Sequence, residues 1–336
     1  MTFEDFISEW RSCENFITAN TSGSTGAPKT IRLSKKFVED SARRTNSFFK
    51  IKEGSNFHSC VSPDFIGGKM MAVRAEISNG SLSWEIPSNE PLKNLDSSLE
   101  IHLLAVVPSQ MLYILENLGK IPHIHNIIIG GAPIHPDLRK RIASSGLKAF
   151  ETYGMTETAS HIALRKITSE ETPFFPLPGI HVGLDNQNCL KISFDSGEEI
   201  HTNDLAEIYQ DNSFMIKGRK DQIIISGGKK INPVLVEEKI SPYIPYAFCI
   251  TSFPDEKWGE RIVLLLEGEL DSKFVSSLRE KINSVLNPWE KPKEIIYTKK
   301  LPRTPNGKIL RVKNPSSLSF SAPCKNLVSG VQNKQG

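Results

Sequence analysis

Residues 21–30 read TSGSTGAPKT, a window composed for holding an anion. Gly23 and Gly26 let the backbone come close to a ligand. Backbone N–H groups in such a bend converge on phosphate oxygens. Thr21, Ser22, Ser24 and Thr25 offer hydroxyls, and Lys29 offers a point charge. The spacing is not that of nucleotide kinases and GTPases. Their loop needs a second glycine five places after the first, and that place is Pro28. The plain alternative is a flexible Ser/Gly linker, which the window alone leaves open.

From about residue 34 to 152, buried-strand runs alternate with helical patterns. Ser34 is placed to cap a helix in SKKFVEDSARRTNSFF, with Phe37, Ser41, Thr45 and Phe48 near one face. FHSCVS, HLLAVV, NIIIGG and LKAFETYG read as strands. GGKMMAVRAEISNG, PSQMLYILENLG and HPDLRKRIASSG read as helices. This alternation implies a mainly parallel sheet covered on both faces. After Pro173 the runs LKISF, EEIHT, LAEIYQ and SFMIKG are short, with a turn at Asp211-Asn212, and predict a small antiparallel β unit. From Arg219 the strands AFCITSF, RIVLLLEG and EIIYT and the helix DSKFVSSLREKINSVL form a compact α+β pattern. The expected fold class is α/β. A large N-terminal domain spans 1–218, a small α+β domain 219–314, and a Ser/Asn-rich tail, 315–336, reads as disordered.

A chain of 336 residues with 38% hydrophobic and 24% charged residues can bury a core. Its formal charge of +3 lacks the basic excess of a dedicated nucleic-acid binder. The five cysteines show no CxxC spacing and read as reduced thiols. The N-terminus opens with acids, and no stretch nears the roughly 18 apolar residues of a membrane span. The expectation is a cytoplasmic protein with small-molecule substrates, no nucleic acid and no membrane span.

TSGSTGAPK resembles the phosphate loop of the adenylate-forming superfamily of acyl- and aryl-CoA ligases, luciferases and peptide adenylation domains. Three further stretches resemble the family's motifs in the same order: YGMTETA (153–159), GRKDQIIISGGKKINPVLVEE (218–238) and PRTPNGKILR (302–311). The resemblance implies two half-reactions. A carboxylate attacks ATP to give an acyl-adenylate, and coenzyme A then displaces AMP, with Mg2+ at the phosphates. Carried over residue by residue, Thr21, Ser22, Gly23, Ser24, Thr25, Gly26 and Lys29 hold the phosphates. Lys308 bridges the acid carboxylate and the α-phosphate, Thr156 hydrogen-bonds the phosphate, and Glu157 ligates Mg2+. Tyr153 and Gly154, with Gly130, Gly131 and Ala132, surround the adenine. Asp204 accepts the ribose hydroxyls, with Arg219 as its cationic partner. Asp221 is the hinge of a mobile C-terminal domain that brings Ser226, Gly227 and Gly228 to coenzyme A.

Within the family, SPDFIGGKMMAVRAEISNG resembles the o-succinylbenzoate–CoA ligases of menaquinone synthesis. Arg74 takes the place of an arginine that pairs with the acid's second carboxylate, and VVPSQM puts Ser109 and Gln110 at the acid pocket. The plain alternative for Arg74 is a helix-surface arginine in an ion pair. One departure is Ile66, which stands in PDFI where the family carries histidine; neither His58 nor His161 matches that place. The chain also starts close before the phosphate loop, which reads as a compact lineage or as loss of a subdomain. Loss would leave a surface for self-association as a homodimer. The competing readings are another small aryl- or fatty acyl-CoA ligase, and a degenerate homologue that binds nucleotide without turnover.

Overall fold

The computed structural model describes residues 1–21, 29–268, 272–304 and 309–313. Ser22, Gly23, Ser24, Thr25 and Gly26 of the phosphate loop, Lys308 and the tail 315–336 lie outside the described residues. The described chain forms two compact units. One is Met1–Lys220 with Thr304, and the other is Asp221–Arg303 with the segment from Ile309.

The first unit opens with α1 (Phe3–Arg11), the hairpin β1 (Phe16–Thr21) and β2 (Lys29–Ser34), and α2 (Lys35–Phe48). A capping box between Thr2 and Asp5 starts α1, and Ser34 Oγ accepts the Phe37 N–H to start α2. On α2 the buried face is Phe37, Val38, Ser41, Ala42 and Thr45. Phe48, expected on that face, is 43% exposed. Alternation follows through β3 (Asn56–Ser59), α3 (Ile66–Glu76), β4 (Ser81–Trp84), β5 (Glu100–Ile101), β6 (Leu103–Val106), α4 (Met111–Glu116), β7 (His123–Ile124), β8 (Ile127–Ile129), α5 (Pro136–Ser144) and β9 (Ala149–Met155). The strands β10 (Ser160–Lys166) and β11 (Phe175–Pro176) then turn back.

The main sheet has the order β11-β10-β9-β8-β6-β3-β4. Its pairs from β4 to β9 are parallel, and β10 and β11 add antiparallel strands at one side. Side chains alternate between two cores. Phe57, Leu103, Ala105 and Ile128 share a core with residues of α1, α2 and α3. Leu104, Val106, Ile127 and Ile129 share another with residues of α4 and α5. Because β3, β6, β8 and β9 are parallel, the residues that follow their carboxyl ends line one edge of the sheet. Those are Cys60, Val107–Gln110, Gly130–Ala132 and Thr156–Ala159. In open α/β sheets this edge is where ligands bind.

The small β unit is an antiparallel four-stranded sheet of β12 (Ile180–Leu184), β13 (Cys189–Phe194), β14 (Glu199–Ile208) and β15 (Phe214–Arg219). Asn212, at φ 64°, makes the turn between the last two. The second unit contains β16 (Ile224–Ser226), β17 (Lys229–Ile231), α6 (Pro233–Ile240), β18 (Phe248–Asp255), β19 (Gly259–Glu267), α7 (Ser272–Val285) and β20 (Glu294–Thr298). Its strands form one sheet, and its core includes Ile224, Val236, Ile240, Leu264, Leu266, Leu278 and Ile282. Among the described residues no helix is long and apolar enough to cross a membrane.

Candidate active site

The turn from β9 into β10 is held in one conformation by its own side chains. Thr158 Oγ accepts the Met155 N–H at 2.9 Å and donates to the Ser160 carbonyl at 2.6 Å. Ser41 on α2 donates to the Ala159 carbonyl at 2.8 Å. The backbone enters the left-handed region at Ala159 (φ 49°) and Ser160 (φ 82°). Gly154 is required by close approach: a Cβ there would stand 2.2 Å from the Ser160 carbonyl oxygen. This frame presents Thr156, buried, and Glu157, exposed. Thr156 Oγ lies 3.5 Å from the Asn20 carbonyl, on the strand that enters the phosphate loop. Thr21 Oγ accepts the Lys29 N–H at 3.3 Å and closes the hairpin at the loop's base. Residues 136 positions apart, Asn20 and Thr156, are thus brought together within one unit. A phosphate at this place would meet a hydroxyl and, at Glu157, an oxygen donor of the kind a hard cation requires.

A second group joins β9 to the small sheet. Asp204 and Arg219 are register partners on β14 and β15. Arg219 Nη1 donates to Asp204 Oδ1 at 2.9 Å, and the Tyr153 hydroxyl donates to Asp204 Oδ2 at 2.6 Å. The Tyr153 ring packs edge-on against Phe214, with centroids 5.2 Å apart. Burial, reinforced by the charge of Asp204, pushes the Tyr153 phenol far above its ordinary value, so it remains a donor. Sequence reading brought Asp204 and Arg219 together; it did not foresee that Tyr153 steadies the same carboxylate. Each carboxylate oxygen retains a lone pair for a ribose hydroxyl.

Gly130, Gly131 and Ala132 follow β8 at the same sheet edge. A Cβ on Gly130 would stand 2.6 Å from Thr152 Oγ1, and Gly131 has φ 88°. Both glycines therefore have a backbone reason in addition to any ligand.

Arg74, on α3, is 0% exposed. Its Nη2 reaches Ser160 Oγ at 3.4 Å and its Nη1 reaches Met71 Sδ at 3.6 Å. Its Nε has no hydrogen-bond partner among the described residues, and no described carboxylate pairs with it. The surface ion pair is therefore the wrong reading of this residue. Burial pulls the guanidinium down to about 9, still a cation at neutral pH. Beside it, His161 is buried with Nε2 2.9 Å from Thr45 Oγ1. Burial, and then the charge of Arg74, holds that imidazole well below 6.5, so it is neutral. A buried cation without an anion is costly and calls for a negative partner.

Gln110 corrects its expectation. It is buried, and its Nε2 donates both hydrogens to backbone, to the Cys60 carbonyl at 3.1 Å and the Ser88 carbonyl at 3.2 Å. Its Oε1 accepts the Val107 N–H at 2.9 Å. The amide is committed to joining three chain segments, so it is not an acid-pocket polar group. Ser109, next to it, is exposed.

In the second unit, Ser226 ends β16, and Gly227 (φ 56°) and Gly228 (φ 75°) form the two-residue turn into β17. Positive φ at both positions is the signature of a tight hairpin turn. A Cβ on Gly227 would stand 2.7 Å from Trp258 Cε3. Hairpin geometry and Trp258 thus explain these glycines without a ligand. Asp221 lies in the 3-10 turn Lys220–Gln222 at the start of this unit.

A family model described as AMP-binding enzyme matches residues 18–218. The 2-succinylbenzoate–CoA ligase of Listeria monocytogenes is 27% identical, over 92% of this chain and 71% of its own length. An acyl-CoA synthetase (AMP-forming)/AMP-acid ligase II-like protein from Dyadobacter fermentans is 33% identical in a solved structure, with TM-score 0.60 over 91% of this chain and 90% of that one. The o-succinylbenzoate CoA synthetase of Bacillus subtilis, solved with the acyl-adenylate intermediate, shares the fold with TM-score 0.75 and 20% identity, over 88% of this chain and 67% of that one.

Proposed function

Because the chain belongs to the AMP-binding enzyme family, we propose that it is an AMP-forming acid–CoA ligase whose acid carries a second carboxylate received by Arg74. In the first half-reaction the acid's carboxylate oxygen attacks the α-phosphorus of ATP. The acyl-adenylate forms and pyrophosphate leaves. In the second, the thiol of coenzyme A attacks the acyl carbon and gives up its proton; the thioester forms and AMP leaves. The first step joins two anions, so its catalysis rests on positioned cations and donors.

The geometry of the first unit supports the following roles at the phosphates, ribose and adenine, and the family resemblance those of the remaining residues. Thr156 donates to the phosphate beside the loop that Thr21 and Lys29 close. Glu157 would hold Mg2+, which would supply charge neutralisation at the phosphates. Asp204, steadied by Tyr153 and Arg219, accepts the ribose hydroxyls. Gly130, Gly131 and Ala132 border the adenine. Lys308 is the adenylation cation, Asp221 the pivot of the second unit, and Ser226, Gly227 and Gly228 the contact for coenzyme A; each of these three is tested by its own variant in the same assay.

The observation that carries the choice of acid is Arg74, a buried guanidinium with no anion among the described residues, at the base of the Thr156–Glu157 turn through Ser160. Its planar fork binds a carboxylate bidentately. o-Succinylbenzoate, the acid in the names of the Listeria and Bacillus relatives, is an aromatic acid with such a second carboxylate. The test is a panel of acids with ATP, Mg2+ and coenzyme A, read as pyrophosphate, AMP and thioester. Thioester from o-succinylbenzoate is expected. Turnover of benzoate or fatty acids with none of o-succinylbenzoate rejects the acid, and pyrophosphate release with no acid at all rejects the ligase.

A further inference from the structure

At the far end of the same sheet edge, β3 and β4 bring a different set of donors together. His58 and Cys60 are two residues apart and share a face. His58 is the register partner of Ser83, and the Glu85 N–H donates to the Ser59 carbonyl at 3.3 Å, so Glu85 follows on the neighbouring strand. One ligand atom from each of His58, Cys60 and Glu85 lies within 4.8 Å of the others. We propose that these three residues bind a zinc-class divalent ion.

His58 and Glu85 are each held by a group behind them, as metal ligands are. His58 Nδ1 lies 2.8 Å from Ser83 Oγ. The Glu85 carboxylate accepts the Leu92 N–H, at 3.1 Å and 3.2 Å to its two oxygens. Leu92 makes that bond from φ 64°, a conformation that a bulky residue seldom adopts. Gln110 ties the Cys60 carbonyl to the Ser88 carbonyl, and so the end of β3 to the segment that carries Glu85.

The independent pointer to a ligand is His58 Nε2. The residue is 1% exposed, and this nitrogen is buried without a hydrogen-bond partner among the described residues. Ser83 Oγ gives its own hydrogen to the Phe57 carbonyl at 3.3 Å, so it accepts His58 Nδ1–H and leaves the lone pair on Nε2, the form in which histidine ligates metals. Imidazole nitrogen, thiolate and carboxylate are a zinc donor set with a fourth place open. A thiolate is a poor ligand for Mg2+, so this site is chemically separate from the phosphate end. On binding, Cys60 loses its thiol proton to solvent and forms the sulfur–metal bond. The ion staples the exits of β3 and β4, just before the chain turns through Val61–Phe65 into α3.

The test uses the full chain with Cys13→Ser and Cys324→Ser, and Co2+ as the probe. One equivalent of Co2+ should bind with a sulfur-to-cobalt charge-transfer absorption that Zn2+ abolishes. Cys60→Ser should remove the absorption, and His58→Gln should weaken Zn2+ binding by more than about tenfold. Zn2+ should raise the thermal midpoint of the parent and leave that of Cys60→Ser unchanged. The metal-free circular dichroism of both variants checks their folding. The exposed cluster of Glu100, His123 and His125 has no sulfur and gives no such band. Co2+ bound without the band, a band that survives Cys60→Ser, or no binding at all overturns the site.

Discussion

Arg139 and Arg165 lie in the same unit as Arg74 and are buried almost as deeply, at 4% and 5% exposed, yet a carboxylate lies between them. Glu151 Oε2 is 2.5 Å from Arg139 Nη2 and 2.8 Å from Arg165 Nη2. Arg165 also pairs with Glu171 and sits 4.1 Å above the Phe174 ring. The strand β10 carries a member of each region, His161 at one end and Arg165 at the other, with a bulge between them. At one end the fold supplies its own anion. At the other it sets a neutral imidazole and two weak acceptors around a cation and supplies no described anion. The first arrangement serves stability. The second makes sense when the anion arrives with the substrate.

The largest expected effect breaks the compensated region. Glu151→Ala removes the one buried carboxylate that two buried cations share, leaving them only the half-exposed Glu171, and should cost about 3–5 kcal/mol in denaturant unfolding. Arg74→Met sharpens the contrast from the other side. It should leave unfolding free energy unchanged or raised, because it removes an uncompensated buried charge. It should also lower kcat/KM for a dicarboxylate acid roughly 30-fold, the equivalent of about 2 kcal/mol for a charged hydrogen bond lost. A smaller loss is expected at the ribose end. Tyr153→Phe removes one donor to Asp204 while Arg219 remains, and should raise KM for ATP about tenfold with little change in stability.

The smallest effect is a pH slope. Folded His161 stays neutral well below 6.5, whereas the unfolded chain takes up a proton as pH falls through that value. Its contribution to stability is therefore complete above about pH 6.5 and is lost progressively below it. His161→Gln should flatten this acid limb in thermal melts. Arg74→Met removes only the lesser cause and should retain most of the slope.

The parallel core was legible because its strands are unbroken apolar runs such as Leu103–Val106, bounded by Pro108 and by glycines that stop them. Ser34 and Asn212 gave the start of α2 and the β14–β15 turn for the same local reason. The helix α1 is missing from the expected elements although its signal is in the sequence: Phe3, Phe6, Ile7 and Trp10 stand at helical spacing behind Thr2 and pack on the core. Long-range pairings were hidden in principle. Tyr153 and Asp204 are 51 residues apart, and no spacing rule joins them. Gln110 misled because a polar residue after a buried strand looks like a pocket group until its amide hydrogens are found on Cys60 and Ser88. Gly227 and Gly228 show the same limit, since a turn and a ligand ask for the same residue. The thiol, imidazole and carboxylate around Cys60 escaped notice because Glu85 comes from a second strand, which the cysteine spacing does not reveal.

The most direct measurement is the ratio of kcat/KM for o-succinylbenzoate to that for benzoate, in the parent protein and in Arg74→Met. If Arg74 receives the second carboxylate, the parent strongly prefers the dicarboxylate, and the substitution collapses the ratio roughly 30-fold while benzoate turnover is kept. A ratio that Arg74→Met leaves unchanged contradicts the account.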